Sequence, residues 1–262
     1  MATESPVDAA AVTGVGVAIA LTCAVLGVTT WRLRQGQGRI EPVDALVGLT
    51  VLVWGSVLST AGAVVLLGGG LDDAETPPLL AAVAGTAVAG LAAAGFAVAR
   101  CSRRQLGLDV LAIRWCAGAL VLVPAFLVIG AVWVWLLRAI GFDVEQQALL
   151  DVAGAGGLGP GEWVALTYGA LGAPLLEELV FRGLVQSSLV RPIGAKAAAV
   201  GAGVLFGLMH LSEPAAVGPL VVMGVTLGLL RLRSRSLAPA LVLHVGNNAL
   251  ALGLALAGVV GA

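Results

Sequence analysis

The sequence predicts an all-α, polytopic transmembrane helical bundle of about eight spans, with both termini outside the cytoplasm (N-out, C-out). Three observations lead there. Of 262 residues, 59% are hydrophobic and 11% charged, against roughly a quarter charged in a soluble domain. The apolar residues gather in eight runs near the ~20 residues a bilayer core requires: 10–31, 44–69, 77–99, 115–137, 163–190, 195–211, 215–231 and 238–260. The cations, finally, collect in the connections of one side.

Taken in order, run 10–31 follows an N-terminus, Met1 to Ala10, that carries Glu4 and Asp8 and neither Lys nor Arg. A cleavable signal peptide starts basic, so this run is expected to remain as a helix. Arg32, Arg34 and Arg39 separate it from 44–69, and Asp72, Asp73 and Glu75 precede 77–99. That third run is rich in Ala and Gly, which let membrane helices approach closely. Arg100, Arg103, Arg104 and Arg114 lead into 115–137. Segment 138–162 then holds Arg138, Asp143, Glu145, Asp151 and Glu162 with Gly154, Gly156, Gly157, Gly159 and Pro160, and reads as a Gly-rich outer loop. Run 163–190 is long enough to tilt, or to break at Pro174. Arg191 and Lys196 follow it, Glu213 precedes 215–231, and Arg231, Arg233 and Arg235 introduce 238–260.

Every basic residue except Arg138 and Arg182 thus falls on one side, which the positive-inside rule makes cytoplasmic. The expectation is a multi-pass plasma-membrane protein in three parts: a scaffold half, 1–137; the loop 138–162; and a catalytic half, 163–262. A net charge of −1 without a basic patch gives nucleic acid no purchase. Cys23, Cys101 and Cys116 have neither paired nor metal-type spacing. The partners expected are the lipid bilayer and a membrane-associated peptide or protein substrate; oligomeric state is left open.

The last four runs hold polar groups that composition does not explain: Glu177, Glu178, Arg182, His210, His244, Asn247 and Asn248. An ionisable group at membrane depth costs on the order of 2.5–3.5 kcal/mol even on the permissive insertion scale. Glu178 and Arg182 stand four apart in the favoured acid-before-base order, so that pair neutralises itself. Glu177 lies about 100° around the helix with no local cation, free to take or give a proton. Phe206 with His210, and His244 with Asn248, each share a helix face. At about 1.5 Å per residue from the cytoplasmic ends, Glu177 lies ~21 Å deep, His210 ~20 Å, Asn248 ~16 Å and His244 ~10 Å. Asn247 faces elsewhere and reads as structural.

A carboxylate near an imidazole can activate water, and an amide with an imidazole on one face can donate to an oxyanion. These parts suit hydrolysis of an acyl bond without a covalent intermediate. A proton-coupled transporter also buries acids and histidines, but its broken helices recur in two halves, and no such symmetry is seen. A non-catalytic immunity or scaffold protein is the other alternative.

Glu177-Glu178-Leu-Val-Phe-Arg182-Gly183, Phe206-Gly-Leu-Met-His210 and His244-Val-Gly-Asn-Asn248 read as EExxxR, FxxxH and HxxxN. In this order they resemble the CAAX-processing and bacteriocin-processing protease family (CPBP, or Abi), intramembrane glutamic endopeptidases; Ser236-Leu-Ala-Pro-Ala240 looks like the family too. The resemblance covers about 165–255. It implies that Glu177 activates water with help from His210, that His244 and Asn248 stabilise the oxyanion, and that Glu178 and Arg182, with Phe206, organise the site. The family was long described as metalloproteases, and Glu177, His210 and His244 could ligate zinc; no cofactor is expected here, and zinc is disfavoured, because no HExxH helix is present and Asn248 is a poor zinc ligand. Eukaryotic relatives process prenylated tails and bacterial ones other peptides; the Ala/Gly/Val-rich composition here is bacterial in style.

Overall fold

The computed structural model describes residues 9–66, 78–142, 144, 148–155 and 157–259, with side chains from Thr22 onward. Ten helices carry the described residues: α1 (Ala9–Arg34), α2 (Pro42–Leu66), α3 (Leu79–Arg100), α4 (Arg103–Leu106), α5 (Ile113–Ala139), α6 (Ala148–Gly154), α7 (Pro160–Ile193), α8 (Ala195–Leu208), α9 (Pro214–Ser234) and α10 (Ala238–Leu256). Six of them, α2, α3, α5, α7, α9 and α10, are long and apolar enough to cross a membrane. The protein is a multi-pass, all-helical membrane protein.

Two of the eight runs read as spans are not among these six. The first run is helical as α1 but is not among the six. The sixth, 195–211, forms only the 14 residues of α8, ~21 Å of helix against a core of ~30 Å. It stops at Leu208 because the chain turns there, placing Met209 to Ser212 in turns. The segment expected as a loop, 138–162, contains α6 and the first turn of α7, which begins at Pro160 with Glu162 bonded back to the Gly159 N–H. Glu4, Asp8, Asp72, Asp73, Glu75, Asp143, Glu145 and Gly156 lie outside the described residues.

Helix α7 is the centre of the bundle, packing against α2, α3, α4, α8, α9 and α10. It is unbroken over 34 residues, ~50 Å if it were straight α-helix, so it must tilt to fit a bilayer. Pro174 does not break it. Two π-helical stretches, Tyr168–Gly172 and Leu179–Val185, flank the α-helical Ala173–Glu178, and the wider turn before Pro174 accommodates a residue that lacks an N–H and crowds the carbonyl four back. π-turns within α-helices are often found at functional sites, and here they bracket the two glutamates.

Small residues set the packing on either side of α7. Backbone meets backbone where Gly203 of α8 faces Gly224 and Val225 of α9, and Gly228 lies on Ala199. Van der Waals contact at this range drives helix association in lipid. A buried layer of Phe181, Phe206, Met223, Leu227 and Leu243 joins α7 to α8, α9 and α10. Between α7 and α8 the chain reverses at Gly194 alone, whose φ of +84° suits glycine.

The scaffold half is bolted by ions. Asp44, with no exposure, accepts from Arg32 Nε at 2.8 Å and Nη2 at 2.6 Å, from Arg100 Nε at 3.0 Å and from the Glu41 N–H at 2.8 Å. Arg32 Nη1 also donates to Gln35 and Glu41, and Arg100 to the carbonyls of Gly36 and Arg39. The segment after α3 ties this cluster to the other half. The Cys101 thiol donates to the Gly183 carbonyl at 3.9 Å, the Arg231 guanidinium to the Gln105 carbonyl at 2.8 Å, and the Leu237 N–H to Gly107 at 2.9 Å.

Candidate active site

The winding of α7 presents its two glutamates differently. Glu178 is fully buried, and its Oε2 lies 3.3 Å from Arg182 Nε, also fully buried. The two atoms are off the line a hydrogen bond needs, so the pairing is one of charge. Arg182 Nη2 donates to the Gly224 carbonyl at 3.1 Å, and its guanidinium lies 4.8 Å from the centre of the Phe206 ring. Four residues on, Gln186 Nε2 repeats the pattern with the Gly228 carbonyl at 3.0 Å. Glu177, by contrast, keeps 24% of its side chain exposed.

His244 of α10 lies between the glutamates. Its Nδ1 is 3.0 Å from Glu178 Oε1, and its Nε2 is 3.7 Å from Glu177 Oε2. This corrects the reading of Glu178 and Arg182 as a self-sufficient pair, since the second oxygen of Glu178 serves His244. It also corrects the depth count, which left His244 about 11 Å short of Glu177. That count treats helices as parallel rods of uniform rise, whereas α7 is over-long and partly π-wound.

His210 sits in the turn beyond α8 rather than on its helical face, and its Nδ1–H donates to the Phe206 carbonyl at 3.0 Å. A carbonyl only accepts, so the neutral ring keeps its lone pair on Nε2. The buried Phe206 ring is the hub: its centre is 5.3 Å from that of His210, 5.4 Å from His244 at 88°, and 5.1 Å from Phe181 at 86°. Such edge-to-face contacts fix ring planes.

Asn248, one turn beyond His244, donates from Nδ2 to the Gly169 carbonyl at 3.0 Å, inside the first π-stretch of α7. Its Oδ1 accepts from Asn247 Nδ2 at 3.4 Å. Asn247 thus contacts Asn248. Glu177, Glu178, Arg182, Phe206, His210 and His244 form one cluster, and Asn248 reaches it along the His244 helix. Sequence reasoning missed Gln186, although its spacing of four from Arg182 puts both on one face. It also missed the Gly169 carbonyl, which carries no side-chain signal.

Among the described residues, no group of three or more His, Cys, Asp or Glu is placed to hold a metal ion.

An all-helical membrane protein with paired acids and two histidines at its centre belongs to a class in which polar chemistry is built inside a bundle. Residues 159–250 match the family described as type II CAAX prenyl endopeptidase Rce1-like. The match spans about a third of the chain, on the segment that carries all three motifs, and is a likeness to CPBP-type proteins there. Neither the curated proteins nor the solved structures gave a match.

Proposed function

We propose that the chain is an intramembrane endopeptidase that hydrolyses a peptide bond of a membrane-associated or lipidated protein or peptide, using water activated by Glu177. The observation that carries this reading is the division between the glutamates: Glu178 is sealed and ion-paired, while Glu177 is partly open beside His244. Water at Glu177 gives up a proton to the carboxylate as its oxygen attacks the scissile carbonyl. His210 accepts a hydrogen bond from that water at Nε2 and orients it. His244 and the second N–H of Asn248 meet the tetrahedral oxyanion. Glu178, Arg182 and Phe206 keep these groups in place. The reaction as proposed uses no cofactor.

The frame of this reading is an eight-span bundle, N-out and C-out, in the plasma membrane with its basic loops cytoplasmic. Residues 1–137 serve as scaffold and 163–262 as the catalytic half. In support, all the described basic residues at the α1–α2, α3–α5, α7–α8 and α9–α10 junctions fall at one end of that path.

Cleavage of a candidate membrane peptide in lipid vesicles tests the assignment. Glu177→Gln is expected to lose activity by about 10²–10⁴-fold, and unimpaired proteolysis by that variant contradicts the general-base role. Activity is expected to survive chelation; loss on chelation with recovery on adding zinc replaces this mechanism with a metal-dependent one. The same Glu177→Gln protein, used as a trap, identifies the substrate by co-purification.

A further inference from the structure

We infer that His244 carries the proton from Glu177 to the departing amine, and that Glu178 is the positioning residue that equips it to do so by fixing the tautomer of its ring. The inference rests on the hydrolytic reading above and assigns His244 a task beyond that of a preformed oxyanion donor.

Nδ1 of His244 lies 3.0 Å from Oε1 of Glu178, whose other oxygen faces Arg182 at 3.3 Å. An ion-paired carboxylate offers lone pairs and no hydrogen, so the hydrogen of this bond sits on Nδ1. A neutral imidazole has a single N–H. Nε2 is therefore left with its lone pair, directed at Glu177 Oε2 3.7 Å away. In that state His244 has no hydrogen to give an oxyanion, and it is equipped instead to receive one. The edge of Phe206 against the imidazole, at 88°, together with a His244 side chain only 3% exposed, holds the ring against the flip that would exchange its nitrogens.

The proton count then closes. Glu177 removes a proton from water, and the hydroxide oxygen bonds to the scissile carbon. The protonated Glu177 passes that proton to His244 Nε2, and the ring, now bearing hydrogens on both nitrogens, is positive against Glu178. Its new Nε2–H faces the oxyanion and is delivered to the amide nitrogen as the carbon–nitrogen bond breaks. An acid and an amine leave, and Glu177 and His244 return to their starting forms. The N–H donor at Nε2 comes into being only once negative charge has formed on the substrate. An interaction made in the transition state and absent from the ground state raises kcat rather than tightening substrate binding.

The chain has two histidines, so the full protein labelled with ¹⁵N-histidine in lipid nanodiscs gives one resonance set for each ring, and the nitrogen shifts report which atom is protonated. Neutral His244 is expected to carry hydrogen on Nδ1 in the wild type and to move to the Nε2–H form, which free imidazole side chains favour, in Glu178→Ala. His210, held by the Phe206 carbonyl, is expected to stay on Nδ1 in both. Hydrogen on Nε2 of neutral wild-type His244 overturns the inference, as does a tautomer indifferent to Glu178→Ala, or a ring that stays doubly protonated throughout the pH range of the folded protein. Should Glu178→Ala fail to fold, the wild-type spectrum decides alone. The spectrum needs no substrate, so the two readings fail separately: the wrong tautomer removes the relay and leaves Glu177 as base, whereas full cleavage by Glu177→Gln removes the hydrolytic reading and the relay with it.

Discussion

The bundle contains two buried ionic clusters, and they are built to opposite specifications. Around Asp44, both arginines are fully engaged: every carboxylate oxygen and every guanidinium nitrogen has a partner, and Asp44 has no exposure. Around Glu178, several atoms are left short. Glu178 Oε2, Arg182 Nε and Arg182 Nη1 lack a hydrogen-bond partner among the described residues, and Glu177 is partly open. Saturation makes a cluster rigid and chemically inert. The unsaturated cluster retains capacity to bind and to exchange protons, and strained or under-satisfied polar groups gather where function requires them. The first cluster is thus a bolt, and the second is where the proposed chemistry is placed.

Substitutions can break or sharpen that contrast. The largest effect is expected at the bolt, where Asp44→Ala strands two buried cations. Breaking a buried pair costs about 3–5 kcal/mol, read as a fall in the thermal or denaturant midpoint in detergent. On the proposed reading Asn248 is an oxyanion donor, and Asn248→Ala is then expected to lower kcat by about 10²–10³-fold. It also frees the Gly169 carbonyl, a loss of about 1 kcal/mol of stability by the same denaturation assay.

A subtler effect is expected at Cys101, which sits between the clusters. Its thiol is pushed up to about 12, chiefly by burial, with Asp44 adding to the rise and Arg100 opposing it. The thiolate is the reactive form, and below that value it is scarce, so at pH 8 a water-soluble maleimide is expected to spare Cys101. Labelling of Cys101 in Asp44→Ala would show that the bolt also seals this joint. The smallest effect belongs to Arg39 and Glu41, 3.9 Å apart with side chains 62% and 43% exposed. Arg39→Ala is expected to shift stability by no more than about 1 kcal/mol.

Much of this was legible in the sequence, because lipid imposes a length and a polarity on every helix. The six helices long and apolar enough to cross a membrane coincide with apolar runs, and all seven candidate residues fall on the second half of the chain. The geometry within that half was less so. Spacing of four found Glu178 with Arg182, but no spacing rule reports a contact between α7 and α10, and so the bond from His244 to Glu178 was invisible. The π-turns were hidden for a related reason, since they change the winding of a helix without changing its composition. The Asp44 cluster left a signal that went unread: one acid at the head of an apolar run, between arginines assigned only to loops. Counting them for topology obscured that Arg32 and Arg100 are buried.

The central claim is that activity and stability reside in different clusters, with Glu177 as the base. It is tested most directly by measuring cleavage rate and melting temperature together in Glu177→Gln and Asp44→Asn. The account predicts that Glu177→Gln melts with the wild type and does not cut, while Asp44→Asn melts lower and still cuts at temperatures where it is folded. Wild-type cleavage by folded Glu177→Gln would contradict it.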